Sequence, residues 1–215
     1  MIQILIALAL WLAVLLSSSL ITLLLSRFTK SKKHSIEAFA NQLLFLFFSL
    51  LLIYWLSGGS FTRYGFKWDM HYTLISLLAF PLSLALLYLS QRFSEGYKPP
   101  FIPENTAILI FLLLFLAPLS EETFFRGLIG GYLINTSNFL YALFLSPILF
   151  SIVHILPFHS APRKYTIMLL LNAFILGLIA MELFYLSHSL LPAITTHALF
   201  NLSGLIFYHL SNRKR

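Results

Sequence analysis

Six ionisable residues lie inside apolar stretches of this chain: Glu121, Glu122, Arg126, His154, Glu182 and His197. Asn172 and Asn201 are their polar companions. A charged group at the middle of a membrane helix costs roughly 2.5–3.5 kcal/mol on insertion scales, so each calls for a reason. Glu and His together can activate a water molecule. His and Asn can donate hydrogen bonds to a developing oxyanion. That set suits hydrolysis of an amide by water. Zinc is the competing use, with two histidines and a carboxylate as ligands and one position left open for water. The chain has no His-Glu-x-x-His run, and Asn is a poor zinc ligand.

Spacing sorts these groups. Glu122 and Arg126 are four apart on one helix face, in the better order for an ion pair. Glu121 points about 100° away from Glu122 and is expected to lack the arginine. A carboxylate so placed suits a general base or acid near neutral pH. Phe150 with His154, and His197 with Asn201, are also four-residue pairs that share a face. A lone histidine in a membrane helix ordinarily bonds to a neighbouring helix. Two on separate helices, beside a Glu pair and an Asn, point to a site. Glu182 has no evident partner or role. His34, His71, His159, His188 and His209 fall in loops or at span ends, where solvent accounts for them.

The elements that position these residues follow from composition. Of 215 residues, 59% are hydrophobic and 10% charged, against about 45–50% and about 25% in soluble domains. Such a chain is an all-α, polytopic transmembrane bundle and not a soluble nucleic-acid binder. It has no cysteine, which excludes disulfides, thiolate metal sites and a cysteine nucleophile. A span needs roughly 20 apolar residues. Seven runs qualify, with six to eight the acceptable range: 1–26, 38–57, 72–90 with Pro81 as a kink, 106–134 with Pro118, 138–156 closed by Pro157, 165–187 and 190–210. The first run lacks a cleavage site and reads as a retained helix. No internal repeat is visible. The chain reads as one membrane domain, with its motif-bearing core at about 106–210.

Seven spans place Arg27, Lys30, Lys32, Lys33, Arg92, Lys98, Arg163, Lys164, Arg213, Lys214 and Arg215 on one side, against Arg63 and Lys67 on the other. Basic loops stay in the cytosol. The expected orientation therefore has the N-terminus outside and the C-terminus cytosolic. The loop 91–105, with Pro99, Pro100 and Pro103, could hold a short interfacial segment.

Three motifs stand in order: Glu121-Glu122-Thr-Phe-Phe-Arg126-Gly127, then Phe150-x-x-x-His154, then His197-x-x-x-Asn201. Leu176-Gly177 and Ser189-Leu190-Leu191-Pro192-Ala193-Ile194 lead into the third. Together they resemble the CAAX prenyl protease and bacteriocin-processing family of intramembrane proteases, over roughly 118–201. The resemblance implies a helical membrane peptidase. By it, Glu121 would be the base for water, assisted by His154. His197 and Asn201 would stabilise the oxyanion, and Glu122 and Arg126 would orient the site or bind substrate. It also implies a metal-free mechanism without cofactor, with zinc on His154, His197 and Glu121 as the alternative. The partners would be membrane lipid and a peptide or lipidated protein substrate, with a prenylated CAAX peptide as the family's best-known case, and no nucleic acid.

Two other functions compete. A non-catalytic bacteriocin-immunity or scaffold protein of the same fold would not need Glu121 without a charge partner. An ion-coupled transporter would show repeats and interrupted helices in corresponding halves, and the sequence has neither.

Overall fold

The computed structural model describes residues 1–29, 34–97 and 105–213. Helices and turns account for the described residues, with no strand among them. In chain order the helices are α1 (Ile2–Thr29), α2 (His34–Ser57), α3 (Met70–Gln91), α4 (Thr106–Thr136), α5 (Phe139–Val153), α6 (Arg163–Ser187) and α7 (Leu190–Arg213). Six are long and apolar enough to cross a membrane, and α5 is a shorter apolar helix of 15 residues. The expected all-α bundle of about seven spans is the architecture found. Among the basic positions of the loops, Lys30, Lys32, Lys33, Lys98, Lys214 and Arg215 lie outside the described residues, as do Pro99, Pro100 and Pro103.

Prolines set the irregularities. Pro81 has no N–H for the carbonyl of Leu77, four residues back. Helix α3 accordingly breaks between Met70–Ser76 and Ala79–Gln91, and the Phe80 N–H takes the Leu77 carbonyl instead, at 3.1 Å. The kink expected at Pro81 is this break. In α4 the backbone widens to π-helix over Leu112–Leu116 and again over Thr123–Gly130. The motif glutamates stand between the two wide stretches. Helix α5 was expected to reach residue 156 but ends at Val153. Pro157 cannot donate to the Val153 carbonyl, so the chain turns one residue after that point, at His154. Fifteen residues rise about 22 Å, less than the roughly 30 Å hydrocarbon core of a bilayer.

Short as it is, α5 still carries the chain from one end of the bundle to the other. At one end the Leu190 N–H donates to the Gly65 carbonyl at 2.9 Å. Ser189 Oγ donates to Lys67 O at 2.6 Å, and Asn135 Nδ2 to Arg63 O at 3.2 Å. At the other end Gln91 Nε2 donates to Tyr165 Oη, and Tyr97 Oη meets Ser160 Oγ at 3.3 Å. Loops thus alternate between ends as seven passes require. Gly65 makes the first junction possible. Its φ is 89°, and an added Cβ would sit 2.3 Å from Phe184 Cε2.

Helix α4 lies at the centre, packed against α2, α5 and α7, while α6 covers α5 and α7. Phe124, Phe125, Leu128, Ile129 and Leu133 of α4 are fully buried. The outward faces of the other helices carry apolar side chains such as Leu16, Phe47 and Leu78, as a surface against lipid tails should. Buried polar ties join neighbouring helices. Ser83 meets Ser203 Oγ at 2.6 Å, and Asn172 Nδ2 donates to Ser90 Oγ at 2.8 Å. The second tie places Asn172 on a helix contact and not among the motif residues.

Candidate active site

Glu121 and Glu122 converge on one imidazole. His197 Nδ1 lies 2.7 Å from Glu122 Oε1, and its Nε2 lies 3.9 Å from Glu121 Oε2. A carboxylate only accepts, so Nδ1 carries the proton that bonds Glu122. The other oxygen of Glu122 lies 3.0 Å from Arg126 Nε, and both side chains are fully buried. The expected ion pair is present, and it has a further function in space: it holds His197.

Phe150 is the surface on which the charged groups rest. Its ring centroid lies 4.7 Å from that of His154 and 5.4 Å from that of His197, both edge-on. The Arg126 guanidinium lies over the same ring at 4.6 Å, a favourable place for a cation with few acceptors nearby. His154 caps the end of α5, with Nδ1 2.8 Å from the Phe150 carbonyl. Sequence reading puts Glu121 at mid-span and His154 at a span end.

Glu121 and Asn201 each have a protein partner. Glu121 lacks the arginine, as expected, but it is not without a partner. Gln42 Nε2 of α2 donates to Glu121 Oε1 at 2.7 Å. Its Oε2 is buried and makes no hydrogen bond. Asn201, one turn after His197, is not a free amide. Its Nδ2 donates to the Leu113 carbonyl at 2.8 Å. That carbonyl lies in the first π stretch of α4. The Ala117 N–H goes to Leu112 O, and Pro118, next in line, has no N–H. The backbone there has lost both its nearest helical donors, and Asn201 replaces them. Nδ2 has a second hydrogen left for a ligand.

Glu182 is half-buried on α6. His71, His159, His188 and His209 are exposed, as expected, and the side chain of His34 lies outside the described set. Among the described residues no three His, Cys, Asp or Glu side chains are grouped to hold a metal ion. The described geometry instead sets one histidine between two carboxylates.

Residues 103–203 match the family model described as Type II CAAX prenyl endopeptidase Rce1-like. That stretch is Rce1-like. No curated protein and no solved structure matches the chain. The match agrees with the motif resemblance. All three motifs, from Glu121 to Asn201, fall within the Rce1-like stretch. Gln42 falls outside it and went unnoticed in the sequence because it carries no charge. An amide inside the apolar run 38–57 was the available signal, since a polar group in a span wants an interhelical partner.

Proposed function

We propose that the protein is an intramembrane endopeptidase that hydrolyses a peptide bond of a membrane-associated substrate. The Rce1-like match supports a CAAX-type peptidase at the level of the family. The observation that carries the reading is Glu121 Oε2, which is buried, free of hydrogen bonds and 3.9 Å from His197 Nε2. An acceptor without a hydrogen bond in low dielectric is costly as structure and useful as a base.

In this reading Glu121 takes a proton from water as its oxygen bonds to the scissile carbonyl carbon. The C=O π electrons move to oxygen. His197 Nε2 and the second Asn201 hydrogen then donate to that oxyanion. Nε2 can donate only from a doubly protonated ring, and Glu121 and Glu122 supply the opposing charge. Glu121 next gives its proton to the departing amide nitrogen, the C–N bond breaks, and a carboxylic acid and an amine leave. His154 assists by orienting water on the Glu121 side, while Glu122 and Arg126 hold His197. No metal or cofactor is invoked. The alternative puts zinc on His154, His197 and Glu121. Both Nδ1 atoms face protein acceptors, which leaves the Nε2 atoms for an ion, but Asn201 then has no role at it.

The proposed setting is an integral membrane protein with the C-terminus in the cytosol. The basic loops favour it. A prenylated Cys-a-a-X peptide is the first substrate to try, on the strength of the family description. The test is cleavage of a farnesylated Cys-a-a-X peptide by the purified protein. Glu121→Ala should abolish cleavage, and Asn201→Ala should leave a measurable remnant. Undiminished cleavage by Glu121→Ala would end the proposal.

A further inference from the structure

We propose that Gln42 is a positioning residue that divides the labour of the two Glu121 oxygens. The inference rests on Glu121 acting on water as described above. Gln42 belongs to α2, and no motif includes it. Its amide bridges two neighbours on α4: Nε2 donates to Glu121 Oε1 at 2.7 Å, and Oε1 accepts from the Ser120 hydroxyl. Ser120 is fully buried and also faces the Ala117 carbonyl at 3.1 Å. The amide orientation is dictated by chemistry. A carboxylate cannot donate, so Gln42 must turn its NH2 toward Glu121, and the Ser120 proton then meets the amide oxygen.

The result is an asymmetric carboxylate. Oε1 is pinned to α2. Oε2 is left without a hydrogen bond on the side that faces His197 Nε2. Without Gln42 the carboxylate rotates about its last torsion, a soft one. Either oxygen then competes for water, and neither is held at His197. Reaction geometry is sensitive to displacements of about 1 Å, so the loss falls on turnover and not on substrate binding. The Ser120–Gln42–Glu121 chain also makes α2 part of the working site, although it lies outside the Rce1-like stretch.

The experiment compares wild type, Gln42→Met, Ser120→Ala and Glu121→Gln in detergent on a farnesylated Cys-a-a-X peptide. Methionine keeps the length and volume of Gln42 and removes the donor. Gln42→Met should lose about 10–100-fold in kcat, the range of one hydrogen bond to a charged group, with KM within about twofold. Ser120→Ala keeps the donor and should lose less. An infrared measurement gives a readout independent of turnover. The Glu121 carboxylate stretch, assigned by its disappearance in Glu121→Gln, should shift in Gln42→Met. Wild-type kcat in Gln42→Met, or a loss carried by KM, overturns the positioning role. An unshifted carboxylate stretch does the same. Retained cleavage by Glu121→Gln would instead overturn the role of Glu121 itself, and the two failures are told apart by which variant remains active.

Discussion

His197 is held by Glu122: Nδ1 and Oε1 are 2.7 Å apart in a fully buried contact between α7 and α4. Glu122 also pairs with Arg126. One carboxylate therefore fixes the imidazole and neutralises the guanidinium that lies against Phe150. In the proposed reading the second motif glutamate is a brace and the first is the reactive group.

The brace should be visible in folding. Removing one partner of a buried ion pair strands the other charge, at about 3–5 kcal/mol. Arg126→Ala and Glu122→Gln should each lower the yield of folded protein and Tm as well as activity. Normal accumulation and Tm of either variant in membranes, with activity alone lost, would assign the pair to chemistry and not to structure.

The crossing of α6 over α5 leaves no room at Gly177. An added Cβ there would lie 2.7 Å from Pro147 Cβ, 2.9 Å from Pro147 Cα and 3.3 Å from Arg126 Nη2. The nearest contacts are a rigid ring and backbone, so the helices must separate. Gly177→Ala is expected to cost about 1–3 kcal/mol through overpacking, read as a lowered Tm in detergent. Gly204→Ala meets nothing within 4 Å and should leave Tm unchanged or slightly raised.

Asn201 serves the backbone as well as the proposed oxyanion. Asn201→Ala leaves the part-buried Leu113 carbonyl without its donor, a loss toward the lower end of about 1–3 kcal/mol. It also removes a transition-state donor of the kind that contributes about 10²–10³-fold in rate. Pro118→Ala restores an N–H at the position where Leu113 needs one. The double variant Asn201→Ala with Pro118→Ala should regain Tm relative to Asn201→Ala, while the rate stays low. Thermal melting and kcat measured on the same preparations separate the two roles.

The helices were legible because about 20 apolar residues in succession admit few other readings. The break in α3 was legible through Pro81. The last three residues assigned to α5 were not, although Pro157 marked the stop: Ile155 and Leu156 continue the apolar run, so hydropathy alone saw no boundary. The convergence of Glu121, His197 and the Glu122–Arg126 pair followed from the cost of charge in lipid. Gln42 and the Leu113 carbonyl did not. The former is uncharged, and the latter depends on a π-helical register that side-chain spacing does not reveal.

Orientation has a direct readout. The chain has no cysteine, and Ser160 is exposed between α5 and α6. A Ser160→Cys variant should react with a membrane-impermeant maleimide only from the cytosolic face. Reaction only from outside would reverse the proposed topology.

The most direct test of the central claim is the rate at which chelator-treated, purified enzyme cleaves a farnesylated Cys-a-a-X peptide, measured for wild type beside Glu121→Gln. A glutamate base needs no metal to activate water, whereas a zinc enzyme depends on the ion to acidify it. The account predicts that wild type keeps its activity through stringent chelation and that Glu121→Gln has none before or after. Activity lost on chelation and restored by stoichiometric zinc would contradict it, and would make His154 and His197 ligands with Asn201 outside the coordination shell.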